Sequence, residues 1–314
     1  MSFIIDAWDF NQQPPVRVED LTHKPQVGCW YHLQRDTEGL QDWLRQAEIP
    51  EPLIDAMTEE DTRPRFQRLK EGFVLLLRGV NLNEGAAPED MLSLRILSYK
   101  GVVYTFRKRP FKAITHIRHS LEKQDGPESL NDFLVHLVEQ LNLRIEDVID
   151  AVEIKIEDME AEGYDNTAGQ QQELSRLHRR LLRLNRFVRP QLAALDKFTT
   201  ESERVMDNEM HQWLLNERDT TQRLLEQIDL MLEQLWMQRE LLQQAVAEKM
   251  NRNTYWLSVI AGVFLPLSFL TGVFGINIGG MPGVENEDAF EIFTYALIII
   301  AVIEFLLLRR LRFW

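Results

Sequence analysis

The hydrophobic positions change period along the chain. Between Phe73 and Arg107 they come in short runs: Phe73–Val80 (FVLLLRGV), Met91–Tyr99 (MLSLRILSY) and Val102–Arg107 (VVYTFR). These are β-branched or aromatic stretches broken by Gly and Asn-rich turns, which predicts strands. Helical spacing flanks them near Glu38–Ala47 and over Phe111–Lys123, the latter closed by Asp125-Gly126-Pro127. From Ser129 the strand signals stop. Leu134, Val138, Leu141, Ile145, Val148, Val152, Ile156 and Met159 recur at threes and fours and predict a helix with one apolar stripe. Its other side carries Glu146, Asp150, Glu153, Glu157 and Glu160. Gly163–Gly169 breaks it, and the next helix carries Arg176, Arg179, Arg180, Arg183, Arg186 and Arg189. An acidic helix joined by a turn to a basic one reads as an antiparallel hairpin with the charged faces opposed.

A third helix begins near Asn208. Leu225, Ile228, Leu232, Leu235, Leu242 and Val246 have coiled-coil-like spacing, and no Gly or Pro falls between Met210 and Tyr255. The reading is one helix from Asn208 to Gly275, on the order of 100 Å at about 1.5 Å per residue, tying a soluble part to an apolar C-terminal region.

That C-terminal region holds two long apolar runs. Trp256–Gly275 (WLSVIAGVFLPLSFLTGVFG) is uncharged, and Ile292–Leu308 (IFTYALIIIAVIEFLLL) holds a single acid, Glu304. Each is long enough to cross a bilayer. Lys249 and Arg252 precede the first span, and Arg309, Arg310 and Arg312 come after the second. The loop between them carries Glu285, Glu287, Asp288 and Glu291 and no base. Basic flanks stay inside, so both termini are expected in the cytoplasm and the acidic loop outside. Trp256 and Trp314 stand at interfacial positions. The expected fold is an α+β cytoplasmic domain, then a long stalk helix and a two-helix transmembrane hairpin. Its divisions are 1–127, a helical hairpin at 128–207, the stalk at 208–254 and the membrane hairpin at 255–314 with outer loop 276–291.

Composition narrows the function. The 314 residues carry a net charge of −14, which argues against nucleic acid as a partner. The one cysteine, Cys29, forms no internal disulfide or thiolate cage and fits a reducing compartment. The start MSFIIDAWDF has neither a basic nor a long apolar region, so no cleaved signal is expected. No G-x-S-x-G, HExxH or phosphate loop occurs, so no catalysis is expected and the chain does not read as an enzyme.

Along the first span and its approach, Asn251, Thr254, Ser258, Ala261, Leu265, Ser268 and Gly272 are spaced alternately three and four apart. All but Leu265 are polar or small. Such a seam has two readings: close packing of helices through small residues, or a water-lined pore with Leu265 as its apolar constriction. Two spans cannot enclose a channel, so the pore reading requires a ring of chains. Pro266 implies a kink and a freed carbonyl near the constriction. Beyond the span, Gly275-Ile276-Asn277 offers backbone and amide oxygens suited to a hydrated cation, and the acidic loop would concentrate cations at the mouth. His116 and His119, at i, i+3, are zinc candidates by spacing alone, with no third or fourth ligand evident. Asp229, Glu233 and Glu240 on the stalk are candidates for a regulatory cation or, as the blander reading, a solvated face.

Two C-terminal spans, the tripeptide Gly275-Ile276-Asn277 with Met281-Pro282 after it, and a large domain with a stalk resemble the CorA superfamily of divalent-cation transporters. Ile276 stands where that family's tripeptide carries Met. The stretches Thr62-Arg63-Pro64-Arg65 and Arg68-Leu69-Lys70-Glu71-Gly72, with the loop GINIGGMPG, resemble its ZntB zinc-transporter branch. The resemblance implies a homopentamer in the bacterial inner membrane, Gly275, Ile276 and Asn277 as selectivity filter, and Zn2+ as the transported ion rather than a bound cofactor. It also implies proton coupling. Mg2+, Co2+ or Ni2+ remains an alternative cargo, and a membrane-anchored scaffold without transport is the alternative of a different class.

Overall fold

The computed structural model describes residues 3–21, 24–60, 63–161, 167–204, 206–276, 283 and 286–310. Contacts divide the chain into two units, Met1–Arg239 and Glu240–Trp314.

The first unit is built on β1 (Ile4–Asp9), β2 (Val16–Arg17), β3 (Cys29–Gln34), β4 (Arg65–Leu69), β5 (Gly72–Gly79), β6 (Leu92–Tyr99) and β7 (Val102–Arg107). They form one mixed sheet in the order β2-β1-β3-β7-β6-β5-β4. Only the central β3·β7 pair is parallel, with Trp30 opposite Val103 and Gln34 opposite Arg107. The apolar runs of β5 and β6 are near-continuous because both faces are covered. Phe73, Leu75, Leu77, Leu94, Ile96 and Val103 face one core, while Val74, Leu76, Leu97, Tyr104 and Phe106 face the other. Short helices α1 (Leu40–Gln46) and α2 (Glu51–Thr58) cover the second face.

The first face is covered by α3 (Lys112–Glu122), α4 (Leu130–Ala161), α5 (Thr167–Ser202) and the start of α6 (Asn208–Phe274). Phe133, Leu134, Leu137, Val138 and Leu141 of α4 and Leu195 and Phe198 of α5 enter the same core as the sheet. The segment 128–207, read from its pattern as a helical hairpin, thus shares one core with the sheet. The reason is that α4's apolar stripe is broad enough to serve both the sheet and its helical neighbours.

The Arg68–Gly72 stretch becomes the β4–β5 hairpin. Gly72 has φ 150°, and a Cβ there would meet the Ser98 carbonyl oxygen across the sheet, so the position needs glycine. The expected break at Gly163–Gly169 is shorter at its far end: α5 already begins at Thr167 with Gly169 inside it, and 162–166 lies outside the described residues.

Among the described residues no ion pair joins the acids of α4 to the arginines of α5. The α5 arginines turn elsewhere: Arg180 lies 3.5 Å from Glu89, Arg183 2.9 Å from Asp90, and Arg189 2.7 Å from Asp229 of α6. The helices pack through their leucine and valine faces, which puts the charged faces on the outside of the bundle.

Candidate ion pathway

The second unit holds the distal part of α6 and α7 (Ala289–Arg310). Both are apolar enough to cross a membrane, and neither apolar window is buried by the chain itself. On α6 the half-covered positions are Tyr255, Val259, Val263, Pro266, Leu267 and Leu270. On α7 they are Ala289, Phe293, Leu297, Ile300, Ala301 and Glu304. Each set is a single helical strip, and the two meet at the outer end, where the Phe274 and Phe293 rings lie 4.9 Å apart.

The small and polar seam lies elsewhere. Asn251, Thr254, Ser258, Ala261, Leu265, Ser268 and Gly272 are all exposed, Leu265 by 71%. At about 100° per residue the seam's centre falls about 150° around α6 from the strip that packs on α7. A Cβ added at Gly272 meets nothing within 4 Å. Within one chain, the seam is therefore not a small-residue contact with the second span. The Ser258 hydroxyl donates to the Thr254 carbonyl at 2.9 Å, which leaves its oxygen lone pairs outward as acceptors. Pro266 sits within α6 and deprives the Gly262 carbonyl of its helical donor.

At the outer end the Gly275 N–H donates to the Thr271 carbonyl at 2.9 Å, continuing the helical turn, and Ile276 is exposed. Asn277, Met281, Pro282 and Glu285 lie outside the described residues, as do Thr62, Arg312 and Trp314. Glu287, Asp288 and Glu291 are exposed at the start of α7. The Asp288 N–H donates to Asn286 Oδ1 at 3.1 Å, and the Asp288 carbonyl accepts from Ile292 at 3.0 Å. These acids thus also stand where a helix N-terminus favours negative charge.

The remaining candidates are dispersed. His116 and His119 are exposed on α3, along an open groove of about 710 Å³ shared with Lys112, Arg144 and Asp147. Among the described residues no three His, Cys, Asp or Glu side chains gather to hold a metal ion. Asp229 is already taken by Arg189 and by Asn185, at 2.6 Å. Glu304 is half-buried, and its Oε2 has no hydrogen-bond partner among the described residues. The side chain of Arg309, the base next along α7, is not among those described.

The sequence reading missed the ties between α4 and the stalk. Asn142 Nδ2 donates to Glu217 Oε2 at 2.9 Å, and its Oδ1 accepts from Thr221 Oγ1 at 2.9 Å. Further on, Gln227 donates to Glu153 at 2.8 Å and Gln238 to Glu160 at 2.6 Å. Burial pushes the Glu217 carboxyl up, partly offset by the Asn142 hydrogen bond. A buried Asn in an apolar stripe is the signal that marks this contact in the sequence.

A mixed-sheet domain, one helix continued into a membrane span, and a second span behind it define a two-span membrane protein with a polar seam on its first span. The family model described as "CorA-like Mg2+ transporter protein" matches residues 25–310, and the chain belongs to that family. The zinc transport protein ZntB of Vibrio parahaemolyticus is 36% identical over 318 residues, covering 100% of this chain and 98% of the relative. The divalent cation transporter CmaX of Pseudomonas aeruginosa is 34% identical over 294 residues, 92% of this chain and 88% of that one. The solved full-length CmaX structure superimposes with a TM-score of 0.84 at 30% identity, over 99% of this chain and 98% of that one. The ZntB cytoplasmic domain from Vibrio parahaemolyticus does so with 0.74 at 28% identity, over 79% of this chain and 100% of that one.

Proposed function

We propose that this chain carries divalent cations, Zn2+ foremost, across the bacterial inner membrane through a pore lined by the first spans of several identical copies. One observation carries the reading: the seam on α6 faces away from the strip packed on α7 and is left open by its own chain. In a ring with α7 outermost, that seam points to the axis. Ser258 and Ser268 then offer hydroxyl oxygens to a hydrated ion, and Leu265 forms the apolar constriction. Gly275, Ile276 and Asn277 form the outer filter, where an uncharged amide oxygen holds the ion through its water shell. The acids at the start of α7 and in the loop before it raise the local cation concentration. Inward movement is downhill, since a divalent ion gains about 4.6 kcal/mol per 100 mV on entering a negative interior.

The names of the relatives support zinc over magnesium, while the family's description favours Mg2+ as the second cargo. No His or Cys occurs in either span, so selection works through weak, largely hydrated contacts. Five copies and a proton gradient as driving force are the finer form of the reading. In proteoliposomes, Asn277→Ala is expected to cut Zn2+ flux by about tenfold or more. Undiminished flux would remove Asn277 from the filter, and running Zn2+ against Mg2+ with and without a pH gradient decides cargo and coupling.

A further inference from the structure

The second span carries an acid that the ion pathway does not use, and the first span a carbonyl that has lost its donor. Glu304 is half-buried on the strip of α7 that faces α6, and its Oε2 has no hydrogen-bond partner among the described residues. The Gly262 carbonyl is freed by Pro266, which itself lies on the strip of α6 that faces α7. A freed backbone oxygen at membrane depth takes its donor from a hydroxyl, a water or a neighbouring helix. Hydroxyls of both spans are committed elsewhere: Ser258 donates to the Thr254 carbonyl, Thr271 to that of Ser268 and Thr294 to that of Phe290. Ser268 stands on the opposite seam.

The acid and the carbonyl stand at one level. Counted from the contact of the Phe274 and Phe293 rings, Gly262 is about 18 Å back along α6 and Glu304 about 17 Å on along α7, at about 1.5 Å per residue. A helical carbonyl points toward the C-terminus of its helix, and a side chain leans toward the N-terminus. In this hairpin both directions are outward, so the two groups lean to the same height. No Asp, Glu, Lys, Arg or His lies on α6 from Asn253 to Phe274, and Tyr255 on its strip is about two turns further in. On α7, Glu291 is at the far outer end. Arg309 and Arg310 follow Glu304 at about 140° and about 120° round the helix from it, off the strip.

We infer that Glu304 is a proton-binding site whose protonated carboxyl donates to the Gly262 carbonyl and braces α6 at Pro266. As a carboxylate it only accepts, and the brace is gone. Leu265 directly precedes Pro266, so the bond sets how the apolar constriction is held. The effect on ion flow rests on the pore reading; the bond itself does not.

The test is Zn2+ flux through the full-length chain in proteoliposomes with equal pH on both sides, which removes a pH gradient as driving force. Wild-type flux is expected to change about threefold or more between about pH 5.5 and about pH 7.5. Glu304→Gln keeps a donor at every pH and should hold the flux of the acid end throughout; Glu304→Ala has none and should hold that of the other end. Pro266→Ala returns an N–H to the Gly262 carbonyl and should flatten the profile with Glu304 in place. Flux that is present but flat in wild type, or a profile that both Glu304 variants leave unchanged, overturns the inference. Infrared difference spectra between the same two pH values read the bond without transport. Wild type should show the C=O band of a protonated, hydrogen-bonded carboxyl that Glu304→Gln lacks and that shifts toward an unbonded acid in Pro266→Ala. Absence of that band overturns the inference, whereas its presence in a chain that carries no Zn2+ overturns the pore reading alone.

Discussion

Asp132 is where one carboxylate closes the first turn of α4. One oxygen accepts the Glu128 N–H at 2.8 Å, and the other lies 2.8 Å from His136 Nδ1. Burial works to raise this carboxyl, but the hydrogen bonds from His136 and the Glu128 N–H outweigh it and hold it low. The same bond to Asp132 pushes the His136 imidazole up from 6.5 to about 9. A histidine raised in the folded state contributes stability that is complete below its unfolded value and is lost as pH climbs through its folded value. The chain is therefore expected to lose stability between pH 6.5 and about 9, by about 1 kcal/mol once screening of this half-exposed pair is counted. Thermal unfolding of wild type and Asp132→Asn across that range checks it: the variant should show a flatter profile, and parallel profiles would remove the pair as the cause. Residues of this kind are half legible in the sequence. Their helix was evident from Leu134 and Val138, yet nothing in the spacing distinguishes an end-capping acid from any other.

At the scale of elements, the strands that were legible, β5, β6 and β7, are β-branched, aliphatic or aromatic runs free of titratable side chains over most of their length. β1 (IIDAWD) and β3 (CWYHLQ) are as long as β7, six residues each, but Asp6 and His32 interrupt them and β3 is covered on both faces, so neither shows an alternation to read. The polar residues of β4 point outward and read as a motif instead of a strand. The pairing of α4 with α5 by charge failed because sequence proximity says which helices are neighbours but not which faces they bury. Arg95 shows how far the fold departs from linear pattern. It stands in an apolar strand yet is fully buried, and its guanidinium donates to the Ala56 carbonyl at 3.1 Å and to the Glu59 carbonyl. Arg35 reaches the same Glu59 carbonyl at 2.6 Å. Strand β6 thus closes the C-terminal end of α2, where helical carbonyls lack donors. Burial, then Arg35 nearby, lowers the Arg95 guanidinium to about 10. Arg95→Ala would leave a cavity and a stranded carbonyl, so a loss of about 2–4 kcal/mol in chemical denaturation is expected. A loss under about 1 kcal/mol would show that the carbonyls are satisfied without it.

For the whole molecule, the membrane region was the most legible part, because a bilayer demands long uncharged helices and sorts basic flanks to one side. The seam was legible too, but its direction was not, since spacing fixes a face without saying what covers it. The packing of α6 on α7 supplies that direction, and a labelling experiment tests it cleanly. The chain's one cysteine, Cys29, is fully buried, and burial, then the nearby Asp9 carboxylate, pushes its thiol up to about 11. It is therefore a protonated thiol at neutral pH and silent toward thiol reagents. New cysteines react with a charged, membrane-impermeant reagent only where water lets the thiolate form. Ser258→Cys and Ser268→Cys, in vesicles, are expected to react and to be protected by Zn2+. Ile260→Cys, exposed in the single chain but off the seam, should be shielded by lipid or a neighbouring helix, and Val263→Cys by α7. If Ile260→Cys reacts while Ser268→Cys stays silent, the first span is turned the other way and the pore must be sought on a different face of α6.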